Sequence, residues 1–541
     1  MSYGVHHSFL APISVNGYTT STTEGSLKQQ MVVTMTNETI QALPEIQHTN
    51  SSSATKKNRR KRKRGKVAPP KPGEEGYLTP TQLRNARKRR AKTSSAPPEK
   101  DPSSQYLGNP KSAPICQTAK EYFRSLQQDF AVRVGPTKGW RTVAKLAVRG
   151  DLSIGLFAPH SHRLISVPDC TAHHSSINAA VSHVEQSCRL VGVTAFDDAT
   201  GQGHLRFVAM NVERTTGLIQ MTIVWNSHPY NYDHDDHHVD DDDDQNNVDN
   251  HITIDDCNKG DTIGKKRLDS LLKILMPSTT KTRRRGIKKT VDSDKACTTQ
   301  KVHFHSLWVH FNSSWKHSNA IFSTDAGPKS WKHVFGPTDI VEYLTLPDQP
   351  KPVPLHFPPN VFRQANLDAF ATIVATIRSK IHDVTQSTTQ GSKPTCVELY
   401  GGVGTIGLNV ADLVSTLTSS DENPYNKICF DTSAQEAGLT NVMYDSKNAT
   451  NMVLGGTWKK AEVILVDPPR KGLEEPVMKS LCASSNAKLL VYVSCGFEAF
   501  QRDCSALLES GHWKLDHAEG HLLFPGSDAI ETLAFFRSTD N

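Results

Sequence analysis

Val463 to Phe500 reads VILVDPPRKGLEEPVMKSLCASSNAKLLVYVSCGFEAF. Two apolar runs stop abruptly, one at Asp467-Pro468-Pro469-Arg470, the other at Ser494-Cys495-Gly496. Unbroken apolar runs of this length, bounded by turn residues, predict buried strands at Val463–Val466 and Leu489–Ser494. A helix follows at Phe497–Glu509. Working outward, Asn366–Ile381 predicts a helix, Thr395–Tyr400 (TCVELY) a strand and Thr405–Leu417 a helix. Trp513–His517 and Thr532–Arg537 close the sheet. Alternation of this kind implies a mostly parallel sheet with helices on both faces. Ligands of such sheets bind beyond the carboxyl ends of the strands. Asp467 and Cys495 sit at that edge.

The character changes upstream of about residue 355. Trp140–Cys170 (WRTVAKLAVRGDLSIGLFAPHSHRLISVPDC) predicts a meander of short antiparallel strands. Residues 174–191 predict a helix, and LRFVAMNVE and GLIQMTIVW two more strands. Between about 228 and 300 the pattern breaks. Asp233–Asp244 is DHDDHHVDDDDD and Lys281–Lys289 is KTRRRGIKK. Low complexity lacks the fixed geometry of a metal cage, so this insertion is expected to be a structureless surface excursion holding no metal. The strand pattern resumes at Val302–Asn312.

With 541 residues and a net charge of +7, the chain is too long for one core, and its charge is unevenly spread. Residues 1 to about 110 are rich in Ser, Thr, Asn, Gln, Pro and Lys, and predict a disordered basic tail. Within it, KKNRRKRKRGK (Lys56–Lys66) and RNARKRRAK (Arg84–Lys92) favour nucleic-acid phosphates or a nuclear or nucleolar address; a plastid or mitochondrial location is the alternative. No run approaches the ~18 apolar residues of a membrane span, and no secretory signal is visible. The ten cysteines are scattered, with no C-x-x-C pair, which fits free thiols in a reducing compartment. The expected organisation is an α/β fold of three parts. These are the tail 1–110, a β-rich central domain 111–355 carrying the insertion, and a Rossmann-like domain 356–541. A monomer is expected.

Tyr400–Gly407 reads YGGVGTIG, between a predicted strand and a predicted helix. Gly402 and Gly404 allow a tight turn and close approach of a ligand. The loop lacks the Gly-Lys-Ser/Thr that grips nucleotide phosphates, which disfavours ATP and GTP. Asp421, at the end of the next strand, is placed to accept hydrogen bonds from ribose hydroxyls. NAD and S-adenosylmethionine both satisfy this pattern. Cys495 precedes a helix, whose N-terminal partial charge is expected to favour the thiolate. Glu531 stands at the start of an apolar strand, where burying a carboxylate is costly without a role or a partner.

DPPR (467–470), YVSC (492–495), LFPGSDAIET (523–532), LYGGVGTIGL (399–408) and VFRQAN (361–366) together resemble the S-adenosylmethionine-dependent RNA uracil-5-methyltransferases. This family makes 5-methyluridine in tRNA and rRNA, and the resemblance runs from about 140 to 541, the insertion excepted. It implies a class I methyltransferase domain in which Cys495 is the nucleophile that adds to C6 of uracil. Glu531 is then the base that removes the C5 proton. Gln364, Tyr400, Thr405, Asp421 and Asp467 match cofactor-binding positions, and Phe362 matches an aromatic that contacts the target RNA. tRNA is the expected substrate ahead of rRNA. The alternative is a catalytically silent RNA-binding or folding factor in a methyltransferase shell; a NAD-dependent oxidoreductase leaves Cys495 and Glu531 without a joint role. Gly401 stands where the family often has Cys, and Asn448 where it often has an acid. Some members hold an iron–sulfur cluster on four cysteines. Only Cys116 and Cys170 fall in the relevant region, so no cluster is expected.

Overall fold

The computed structural model describes residues 101–539 except 102, 159–160, 162, 229–253, 277–301, 315–320, 323–326, 388–391 and 484–485. The two basic runs of the tail and the Asp/His run lie outside the described residues.

The C-terminal domain is built on an eight-stranded sheet. Its strands are β1 (Phe130–Val134), β11 (Thr395–Leu399), β12 (Thr416–Ser420), β13 (Val442–Asp445), β14 (Val463–Val466), β15 (Leu489–Ser494), β16 (Trp513–Leu522) and β17 (Glu531–Ser538). Their order is β1-β16-β17-β15-β14-β11-β12-β13. Five neighbours, β15 to β13, run parallel, and β17 is antiparallel to both β15 and β16. Alternate residues of each central strand enter two different cores. Val463, Leu465 and Val491 face one, with the helix Leu367–Ser387; Ile464, Val466 and Tyr492 face the other, with the helix Phe497–Glu509. That is why these strands read as unbroken apolar runs.

The boundary at residue 111 is corrected by the structure. The helix Pro114–Ser125 buries Cys116, Ala119 and Phe123 against the eight-stranded sheet, and β1 pairs in parallel with β16. Phe123 stacks on Phe130 at 4.3 Å between centroids. This segment covers the edge that β16 would otherwise expose, a standard remedy for an unpaired strand.

The predicted helix at Thr405–Leu417 is also corrected. Two short 3-10 turns, Gly407–Asn409 and Ala411–Leu413, lead directly into β12. The buried Arg378 grips these turns, donating to the Asn409 carbonyl at 2.6 Å and pairing with Asp412. Side-chain anchoring replaces the hydrogen-bond ladder of a longer helix.

The central domain is a seven-stranded sheet in the order β4-β3-β2-β5-β6-β7-β8: β2 (Val143–Arg149), β3 (Ser153–Phe157), β4 (Leu164–Ser166), β5 (Leu205–Val212), β6 (Ile219–Trp225), β7 (Phe304–Phe311) and β8 (Trp331–Phe335). The helix Ser175–Val191 covers one face. The pairing is antiparallel except at β6–β7, which is parallel. Parallel neighbours need a crossover, and the insertion supplies it. Ile254–Leu275 is a 22-residue helix, so the expectation of a structureless insertion is wrong for this part. Leu268, Leu271, Leu272 and Leu275, at i, i+3, i+4 and i+7, bury one stripe in the central core.

The short strands β9 (Ile340–Glu342) and β10 (Leu355–Phe357) form a hairpin between the two halves. Here Glu342, 1% exposed, pairs with Arg214 and Arg363. Arg363 also donates to the Val212 carbonyl at 2.9 Å. Arg363→Ala leaves the buried carboxylate with Arg214 as its one cationic partner, which is expected to cost about 1–3 kcal/mol. The measurement is the urea midpoint; a shift below that of a surface Arg→Ala control would contradict this account.

Candidate active site

β11, β12, β14 and β15 run in one direction, so the residues that follow them gather along one edge. Tyr400 follows β11, Asp421 follows β12, Asp467 follows β14 and Cys495 follows β15. Glu531 reaches this edge from the other direction, as the first residue of antiparallel β17. Ser494 pairs with Thr532, so the next residue outward on each strand is Cys495 on one and Glu531 on the other. Two residues 36 positions apart in the chain are thereby set side by side by register.

Tyr400, Asp421, Asp467, Cys495 and Glu531 line one cleft of about 610 Å³, together with Phe362 and Gln364. Phe362 is 68% exposed, unusual for a phenylalanine. It alternates with the buried Arg363, whose anchoring fixes the segment and leaves Phe362 and Gln364 on the cleft side. Of the expected site residues, only Thr405 lies off the lining; its carbonyl accepts from Asn409 Nδ2 at 3.0 Å within the turn.

The cleft also holds residues the sequence reading left unassigned: Arg470, Glu474, Phe524 and others. Glu398, directly behind the glycine loop, was missed as well. It is 2% exposed and accepts from Ser419 Oγ at 2.6 Å and from the Gly407 N–H at 2.8 Å. Burial pushes its carboxyl up to about 7. A carboxylate in the middle of the apolar TCVELY was the available signal.

The loop is strained and braced. Tyr400 adopts φ 61°, a left-handed conformation that costs a non-glycine residue about 1–3 kcal/mol. Its hydroxyl donates to Glu474 at 2.7 Å. Asp421 accepts from the Gly402 N–H at 3.2 Å, the Asn423 N–H at 2.9 Å and Asn426 Nδ2 at 3.0 Å. Gly496, next to the thiol, lies so close to the Arg470 carbonyl that any Cβ there would collide. The backbone after Cys495 is thus pressed against the DPPR turn.

Electrostatics run against one expectation. The thiol of Cys495 is pushed up to about 11, by burial first and then by the carboxyls of Glu531 and Asp467; Arg470 opposes this. A helix N-terminus favours the thiolate; burial and the two acids act in the opposite direction. Burial, then Asp467, raises Glu531 well above the carboxylate range. Burial, then Glu398, raises Asp467. The cleft therefore resists accumulating negative charge.

Comparison with known proteins bears on this geometry. No family model matches the chain. An uncharacterized RNA methyltransferase of Protochlamydia amoebophila is 30% identical over 432 residues, spanning 78% of this chain and 92% of that protein. The 23S rRNA (uracil(747)-C(5))-methyltransferase RlmC of Shewanella halifaxensis is 29% identical over 196 residues, 36% of this chain and 49% of that protein. The chain belongs to a family of RNA methyltransferases. The fold agrees: the crystal structure of Pyrococcus abyssi tRNA (uracil-54, C5)-methyltransferase in complex with S-adenosyl-L-homocysteine superposes over 77% of this chain and 81% of that one. Its TM-score is 0.50 at 18% identity.

As an RNA methyltransferase the chain needs a cradle for its cofactor, and the residues fit one. The close-approaching glycine turn, the Asp421 carboxylate and the amides of Gln364 and Asn448 border one cleft, a donor and acceptor set suited to a nucleoside. One departure from the family pattern has a local cause. A Cβ at Gly401 would strike Ser419 Oγ and lie 2.7 Å from Glu398 Oε2, so the buried acid dictates glycine. Asn448 caps the helix Ala449–Leu454, accepting from the Asn451 N–H at 2.9 Å. Cys116 and Cys170 lie in different cores, and Cys170 donates to Asp101 at 3.2 Å. Among the described residues no helix is long and apolar enough to cross a membrane.

Proposed function

We propose that this RNA methyltransferase modifies C5 of a uridine through a covalent bond between Cys495 Sγ and C6 of the base. The observation that carries the reading is the strand register that puts Cys495 beside Glu531 in a cleft also lined by Asp467 and Phe362. C5 of uracil is a poor nucleophile. The Cys495 thiolate adds to C6, and the C5–C6 π electrons move through the ring to O4 as an enolate. S-adenosylmethionine supplies an electrophilic methyl group, which the activated C5 takes. Glu531 then removes the C5 proton, C5–C6 unsaturation returns, and the C6–Sγ bond breaks to release the thiolate.

The raised thiol and carboxyls fit this order. Thiolate, Asp467 and Glu531 oppose one another's ionisation. Once C5 carries the methyl group the adduct is neutral, and it no longer opposes ionisation of Glu531. Phe362, exposed at the cleft, offers a stacking surface to a uridine extruded from its helix.

tRNA is the substrate expected from sequence. A specific observation favours rRNA as a second reading: several curated relatives with a named nucleotide are 23S rRNA enzymes. One experiment addresses chemistry and substrate. The protein is incubated with labelled cofactor and unmodified tRNA or 23S rRNA transcripts, and 5-methyluridine is mapped by mass spectrometry. A stable protein–RNA adduct is sought with 5-fluorouridine transcripts, whose C5 fluorine cannot be removed as a proton. Methylation of either RNA at C5 with adduct formation supports the reading. Cofactor binding without transfer to any RNA would instead favour the silent RNA-binding factor.

A further inference from the structure

Phe524 has no role in the scheme above, yet it lines the same cleft as Cys495 and Glu531. Its partly buried ring packs against both the central core and a core of the methyltransferase sheet. The backbone around it is fixed. Asn366 Nδ2 donates to the Leu523 carbonyl at 2.9 Å, and Ser527 donates its N–H at 2.9 Å and its hydroxyl at 3.0 Å to the Phe524 carbonyl.

The ring itself is held from the central domain. The guanidinium carbon of Arg141 lies 5.3 Å from the Phe524 centroid and 5.2 Å from that of Trp140. Trp140, 6% exposed, meets Phe524 edge-on with centroids 5.3 Å apart. Arg141 Nε is buried without a hydrogen-bond partner, so ring faces rather than oxygens surround that part of the cation. The next residue, Thr142, donates its N–H at 2.9 Å and its hydroxyl at 3.1 Å to the Ala365 carbonyl. Ala365 belongs to the segment that carries Phe362 and Gln364. Three consecutive residues just before β2 therefore grip both segments that bring an aromatic ring into the cleft.

We propose that Phe524 is a second aromatic wall for the RNA base that enters this cleft, and that Arg141 is the positioning residue that fixes its ring, a role resting on the reading of the cleft as the uridine site. One ring gives an extruded base a surface; two held by a common brace give it a defined slot. Stacking of a base on an aromatic side chain is worth about one order of magnitude in affinity. The brace also gives the central domain a direct hand in base capture.

The test uses the full chain with Phe524→Ala, Phe524→Tyr, Arg141→Met and Arg141→Lys. RNA affinity is measured by filter binding to unmodified transcripts, affinity for S-adenosylhomocysteine by calorimetry, and KM and kcat by methyl transfer. Phe524→Ala is expected to weaken RNA binding and raise the RNA KM about tenfold. Homocysteine-nucleoside affinity should stay within about twofold, and Phe524→Tyr should restore RNA binding. Arg141→Met should act in the same direction by a smaller factor, with partial recovery in Arg141→Lys. Wild-type RNA affinity and KM in Phe524→Ala would overturn the proposal. So would an equal loss of S-adenosylhomocysteine affinity, because a collapsed cleft, not a lost wall, would then be the cause. If the wild-type protein makes no 5-methyluridine, the chemical reading fails separately, and the RNA-binding comparison still decides the role of Phe524.

Discussion

Cys495→Ala is expected to abolish methyl transfer, lowering the rate by about 10⁴-fold or more, since losing a covalent nucleophile removes the whole low-barrier route. The cofactor cradle should survive. Cys495 follows β15, while Asp421, Gln364 and Asn448 belong to other segments, and the residue that must pack closely there is Gly496 rather than the thiol. S-adenosylhomocysteine binding is therefore the control. The free thiol offers an independent check. With its pKa near 11, about one thiol in a thousand is ionised at pH 8. Alkylation of Cys495 by iodoacetamide, followed by peptide mass spectrometry, should accelerate about tenfold per pH unit from 7 to 10. A rate that levels off near pH 7 would show a thiol activated in the free protein, and the repulsion described here would be wrong. Retention of full activity in Cys495→Ala would remove the covalent mechanism.

The second large effect belongs to Glu531. Glu531→Gln keeps the shape and a polar tip at the start of β17 but removes the proton acceptor. Loss of a general base costs about 10²–10⁴-fold. Here the loss falls after the Sγ–C6 bond has formed, so the methylated adduct should accumulate and survive denaturing electrophoresis. The same variant should change the thiol. The ionised Glu531 carboxylate is among the groups that raise Cys495, so Gln at 531 should lower the thiol's pKa and speed alkylation at the alkaline end of the range, where Glu531 carries its charge. Slow turnover with no adduct and an unaltered thiol would separate the two residues functionally, despite their adjacency.

Much of this site was legible because it is local. VILV–DPPR, LLVYVS–CG and TCVELY–GG each announce a strand and the residue that ends it, and the parallel arrangement then aligns those ends. The neighbourhood of Cys495 and Glu531 depended on which strand lies between which, and short-range periodicity carries no such information. The thiol's surroundings were half legible for a related reason. The helix dipole can be read from the sequence, but the two opposing acids come from β14 and β17. Ile254–Leu275 was overlooked because charged low-complexity flanks hid a clear i, i+3, i+4, i+7 stripe. Phe524 was legible only as part of a motif; its brace lies almost 400 residues earlier.

β17 is last in chain order, yet it lies between β15 and β16 in space. A ribosome therefore delivers Cys495, the other segments that border the cleft and the central domain before it delivers Glu531. Until β17 pairs with β15 and β16, Glu531 cannot stand beside Cys495 and the cleft lacks part of its lining. Under the proposed chemistry the site is therefore complete only once β17 has left the exit tunnel.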